Sequence, residues 1–113
     1  MKHEIECFTP APKPDLSKPS KAALVYALRN LETVLPDFQW NYRHVQSCAC
    51  AVAGQLWPES RNSAMEPWIG PERMAPLLGI GFRDSRRTFA DPWKMHVGGL
   101  TPEQVADRLE ACE

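Results

Sequence analysis

Apolar residues recur at helical spacing in two stretches of this 113-residue chain and alternate with polar ones in three shorter stretches. Leu24, Leu28, Leu31 and Leu35 follow one another at intervals of four, three and four, which places them on one stripe of a helix. The helix begins at Ser20 and stops before Pro36, because proline disfavours helical geometry at the residue preceding it. Lys21, Arg29, Asn30 and Glu32 fall on its other faces. The stripe covers only about two heptads, so it predicts a core-facing helix and not a coiled coil.

Phe38, Trp40 and Tyr42 then alternate with Gln39, Asn41 and Arg43, an extended segment whose rings cap the core. Ser47 is the expected N-cap of a helix of about eleven residues that ends at Trp57, before Pro58. Ala49, Ala51, Ala53 and Gly54 lack bulk, so a neighbour approaches closely and this becomes the central helix. Residues 58–70 read as a loop with Trp68 and Ile69 as its buried anchor. A short helix starts at Pro71 and closes at Gly79, with Pro76 expected to break anything longer. Ile80–Phe82 and Trp93–Val97 show period two on either side of an Arg-rich connection and predict a small hairpin.

The last helix carries the strongest local signals. Thr101 is its N-cap, Pro102 its first residue, Gln104 completes a capping box, and Leu100 faces Val105 as a hydrophobic staple. Val105, Leu109 and Cys112 form the apolar stripe, with Glu103, Asp107, Arg108 and Glu110 toward solvent.

The pattern predicts a mainly α fold, with α+β as the alternative. It reads as a single-domain bundle of three to four helices with a minor β-hairpin over residues 19–113, behind a Pro-rich arm over residues 1–18. Ile5 and Phe8 are the arm's apolar residues, and Pro10, Pro12 and Pro14 favour extended backbone. A hydrophobic content of 43% with four tryptophans supports one core and not two. A formal net charge of -1 gives no general attraction to nucleic acid or to an anionic membrane. No apolar run approaches the roughly 20 residues needed to span a bilayer, and Met1-Lys2-His3-Glu4 opens no signal segment, so a soluble cytoplasmic protein is expected. The four cysteines are then expected as free thiols, with a bridge between Cys7 and Cys112 left open. Helical residues two apart point about 200° away from each other, so Cys48 and Cys50 are not expected to bridge while that helix is intact.

Chemistry is suggested where Cys48 and Cys50 open a helix, because a helix N-terminus lowers thiol pKa values. A cysteine hydrolase would use Cys48 as nucleophile and His96 as base. A cysteine opening a helix, followed by histidine in the strand-like Met95-His96-Val97-Gly98-Gly99, resembles the NlpC/P60-type and papain-type cysteine peptidases. The bland reading makes both cysteines small core residues and puts His96 on the polar face of the hairpin. A metal site would combine His44, Cys48, His96 and Cys112, but one Cys-x-Cys without paired short spacings predicts neither metal nor other cofactor. Arg83, Arg86, Arg87 and Lys94 surround Phe82, Phe89 and Trp93, a mixture able to hold phosphates and stack bases. Asp84 and Asp91 dilute that charge, which favours a protein-contact surface over nucleic acid.

A helix opening with Cys-x-Cys-Ala, a short leucine-bearing helix and a final Thr-Pro-Glu-Gln-Val helix, in that order, are similar to short bacterial proteins of unknown function. That resemblance implies a bacterial or phage origin and supplies no site residues. The expected function is binding: a small intracellular, non-enzymatic protein that contacts a protein partner, for example a phage or mobile-element accessory protein that inhibits a host system. Trp68, Trp93, Arg86 and Arg87 are the contact candidates, because exposed tryptophan and arginine dominate interface energetics. The alternatives are a cysteine-dependent hydrolase using Cys48 and His96, and a nucleic-acid-binding protein using Arg83, Arg86 and Arg87.

Overall fold

The leucine stripe after Ser20 folds as two helices, not one. The computed structural model describes residues 13–41, 48–63, 65–89 and 100–112. In it, α1 spans Lys21–Arg29 and α2 spans Leu31–Val34. Ser20 caps α1 by accepting the Ala23 amide. At Asn30 the backbone leaves helical geometry (φ -126, ψ 38), and its N–H and Nδ2 both donate to the Tyr26 carbonyl at 3.0 and 2.9 Å. The asparagine side chain competes for a helix carbonyl and stops the helix early. Leu24 and Leu28 are therefore fully enclosed, whereas Leu31 and Leu35 lie half-buried at the rim of the core.

The next helix, α3, spans Ala49–Leu56 and is eight residues long, shorter than expected. Its N-cap position is held by Cys48; Ser47, the expected cap, lies outside the described residues. Ala49 to Gly54 are all buried. Trp57 ends the helix and donates its indole N–H to the Leu16 carbonyl at 2.9 Å, which fastens the described end of the N-terminal segment to the core. A 3-10 turn follows over Pro58–Ser60. The loop after it returns over α3, where the Ile69 amide donates to the Cys50 carbonyl at 3.0 Å and Ile69 is fully buried. Gly54 makes this approach possible: a Cβ there would lie 2.2 Å from the Pro67 carbonyl oxygen.

Helix α4 spans Pro71–Leu78, with Pro71 at its start and Gly79 in left-handed geometry (φ 70) at its end. Pro76 does not break it. The carbonyl that loses its bond belongs to exposed Glu72, and the helix ends two residues later.

The predicted hairpin is corrected at its first arm. Phe82 opens helix α5, Phe82–Phe89, and the Arg-rich connection is helical. Two apolar residues in alternation are too few to define a strand, and Ser85, Thr88 and Phe89 supply the buried side at helical spacing. The second arm, Trp93–Val97, lies outside the described residues, among which the β pairing shown is an isolated bridge between Ser63 and Glu66.

Helix α6 spans Pro102–Glu110 and begins as its signals predict: the Gln104 amide donates to Thr101 Oγ1 at 3.1 Å and Gln104 Oε1 accepts the Thr101 amide at 2.9 Å. Leu100, Val105, Leu109 and Cys112 are buried. The fold is mainly helical, with six α-helices among the described residues around one core. Helix α1 packs on α6 and on α3, α4 packs on α5, and α5 links the two groups by packing on α6. Arg29 crosses from α1 to α6, where it meets Glu103, Asp107 and Glu110 at 2.6, 2.9 and 2.8 Å, and Lys21 Nζ donates to the Cys112 carbonyl at 2.6 Å. No helix among the described residues is long and apolar enough to cross a membrane.

Candidate functional site

Two places gather reactive or recognition groups: the thiols at the start of α3 and the outer face of α5.

At Cys48 the backbone is extended (φ -113, ψ -169), and its carbonyl already accepts the Ala51 and Val52 amides of the first turn. The divergence expected of Cys48 and Cys50 holds only when both residues are helical. Here one is the cap and the other lies in the first turn. Neither forms a disulfide, and both are buried, at 6% and 5% exposure. The Cys50 hydrogen bond pulls the Cys48 pKa down to about 7 against the opposing effect of burial, and the amides at the helix start add to the lowering, although no side-chain capping bond forms. Cys50 moves the opposite way, well above its ordinary value, because it bonds to and sits beside the Cys48 sulfur and is itself buried. Cys48 therefore gives up its proton more readily than Cys50. A shift of the cap by one residue, from Ser47 to Cys48, is what sequence spacing missed.

Cys112 is a free thiol, so no bridge joins it to Cys7; its sulfur is hydrogen-bonded with Thr88 Oγ1 at 3.2 Å. Among the described residues no group of three or more His, Cys, Asp or Glu converges as a metal site, and His44 and His96 lie outside them.

Helix α5 separates its residues cleanly. At about 100° per residue, Phe82, Arg83, Arg86 and Arg87 fall within one arc, and Ser85, Thr88 and Phe89 fall on the opposite side. The second set is buried, with Ser85 Oγ donating to the Pro71 carbonyl at 2.6 Å. The first set is exposed: Phe82 is 49% accessible, and the Arg86 guanidinium lies over its ring, 6.0 Å from the centroid. Half-buried Asp84 projects from outside this arc, so the dilution of charge read from the linear segment does not apply to the face itself.

The sequence-derived contact residues are therefore divided. Arg86 and Arg87 come together with Phe82 and Arg83 on α5, Trp68 is half-buried against the core as a loop anchor, and Trp93 lies outside the described residues. Two open grooves of about 310 and 370 Å³ flank α1, one toward the start of α6 and one toward Pro14; neither is lined by the thiols or by α5. No protein family, no curated protein and no solved structure matches the chain.

Proposed function

We propose that this protein is a non-enzymatic binding protein that recognises an acidic surface on a protein partner through the outer face of α5. The single observation that carries the reading is the exposed arc of Phe82, Arg83, Arg86 and Arg87. Arginine and aromatic side chains together are the composition that dominates protein interfaces. The Arg86–Phe82 stacking also holds one guanidinium in place before any partner arrives, which reduces the ordering cost of binding. Net charge of -1 leaves no long-range pull toward a polyanion, which favours a local carboxylate-bearing patch over a nucleic acid. An accessory protein that blocks a host component, as the resemblance to short bacterial and phage proteins suggests, belongs to the same proposal.

A cysteine hydrolase has less support. Cys48 would have to place its sulfur against a peptide-sized carbonyl, and its burial leaves no room for such an approach.

The test is affinity capture with the full chain, comparing the native protein with an Arg83→Glu, Arg86→Glu, Arg87→Glu variant and with Arg73→Glu, an exposed arginine on α4. Circular dichroism confirms that each is folded. The triple variant should lose its partner by more than about tenfold, as removal of interface arginines commonly does, while Arg73→Glu retains it. Capture abolished by nuclease would assign α5 to nucleic acid instead. Capture that ignores all three reversals refutes the surface.

A further inference from the structure

We propose that the outer face of α5 docks on a second copy of this chain, with Phe82 in the open groove beside α1 and the arginines against Asp107 and Glu110 of α6. The inference rests on the reading of α5 as a binding face and names what that face binds.

Charge gives the first argument. Among the described residues Arg83, Arg86 and Arg87 make no ion pair, so the face carries three cations without a carboxylate. On α6 the balance is reversed. Glu103, Asp107 and Glu110 follow one another at i, i+4 and i+7 on a single stripe, pair only with Arg29, and keep 61%, 68% and 64% side-chain exposure. Lys21 stands at the other end of α1, turned to the Cys112 carbonyl. The arginines span about 6 Å of helix and the acidic stripe about 10 Å, so the first set fits along the second.

Shape gives the second. The groove of about 370 Å³ beside this stripe is lined by Pro14, Ala22, Val25 and Tyr26, with Arg29 and Glu110 at its edge. It has room for a phenyl ring on an apolar floor. Phe82 is 49% accessible, and the Arg86 guanidinium lies over its ring, so a ring entering the groove carries a cation to the Glu110 edge.

The contact cannot form within one chain. Helix α5 rests on α6 through its opposite side, where Thr88 meets Cys112, so its arginines are turned away from their own acidic stripe. Knob and socket lie on different surfaces, which makes the contact heterologous and joins copies head to tail. A copy docked in this way covers α5, and an acidic partner of another kind has to displace it.

Sedimentation velocity on the full chain, over a range of protein concentrations, tests the proposal. In about 50 mM salt the average mass should rise above that of the monomer with concentration, and the dissociation constant should weaken at least about tenfold in about 1 M salt. The knob variant Arg83→Glu, Arg86→Glu, Arg87→Glu and the socket variant Ala22→Arg, at an exposed position lining the groove, should each be monomeric alone. Mixed in equal amounts they should form a one-to-one heterodimer, because the first keeps its socket and the second its knob. Loss of folding does not produce that rescue. Phe82→Ala and Ala22→Gln stand in for a variant that does not fold. A native chain that stays monomeric in low salt, self-association that survives either variant, or a mixture that remains monomeric would each overturn the inference. Ala22→Arg leaves α5 untouched, so partner capture retained by it and lost in the triple variant upholds the reading of α5 even where docking between copies fails.

Discussion

Replacing Gly54 with alanine sets two effects against each other, and the structure decides between them. Helix propensity alone favours alanine in the interior of α3 by about 1 kcal/mol. The ideal Cβ, however, would lie 2.2 Å from the Pro67 carbonyl oxygen, 2.8 Å from its carbon and 2.9 Å from the Trp68 Cα. Ordinary contact begins near 3.4 Å, so the Pro67 carbonyl must retreat by 3.4 − 2.2 = 1.2 Å. The obstructing atoms are backbone and cannot rotate away. A displacement of that size breaks the 3.0 Å bond from the Ile69 amide to the Cys50 carbonyl and loosens Ile69, which is fully buried. Overpacking of this kind costs about 1–3 kcal/mol and the hydrogen bond about 1 kcal/mol, so after the propensity gain the net loss is about 1–3 kcal/mol. That is a sizeable part of the stability of a small domain. Guanidinium unfolding, followed in parallel by tryptophan fluorescence and far-UV circular dichroism, measures it. Gln55→Ala, an exposed change on the same helix, serves as the reference and should stay within about 0.5 kcal/mol. A Gly54→Ala protein with a raised unfolding midpoint would show that the loop does not press on α3, and the reasoning would fail.

Arg29→Met removes the cation shared by Glu103, Asp107 and Glu110 and leaves three like charges along one face of α6. The carboxylates are more than half exposed, so solvent screening holds the loss to about 1–2 kcal/mol at low salt. It should shrink in about 1 M salt, and a salt-independent loss would attribute the effect to packing instead. The thiol pair predicts a pH profile under reducing conditions. The Cys48 contribution is present above its ordinary value near 9.0 and fades as pH falls through about 7, because the unfolded chain holds that proton more tightly. The Cys50 contribution is present below 9.0 and fades as pH rises beyond it, because its folded pKa is raised. Stability due to the pair should therefore climb from about pH 7 toward 9 and decline above; a Cys48→Ala, Cys50→Ala protein whose denaturation midpoints run parallel to the native ones would contradict this.

What the sequence revealed depended on how local the cause was. Helix α6 was legible because Thr101 and Gln104 cap each other within four residues, and α4 because Pro71 and Gly79 mark its ends. The leucine stripe misled because its spacing continues across Asn30, whereas the break is made by a polar side chain bonding to Tyr26. Helix α5 was invisible to apolar periodicity for a related reason: its buried side is largely hydroxyl, with Ser85 satisfied by the Pro71 carbonyl and Thr88 by the Cys112 sulfur. Arg83, Arg86 and Arg87 were legible as a basic cluster, but their separation from Asp84 onto one face followed only from the helix. The place of Cys48 outside the helix depended on a cap position that differs by one residue, and no spacing rule resolves that.

The pairing of α1 with α6 bears on how the chain is made. Arg29 and Glu103 are 74 residues apart, Arg29 and Glu110 are 81, and Lys21 and Cys112 are 91. Most small helical bundles close through neighbouring helices and fold fast, whereas this one joins the first and last helices of the described residues. During synthesis at about 5–20 residues per second, the 74 residues between Arg29 and Glu103 take roughly 4–15 s to appear. Through that interval Leu24 and Leu28 lack the surface that later encloses them. A nascent chain stalled before α6 therefore presents the apolar face of α1 without the helix that later covers it.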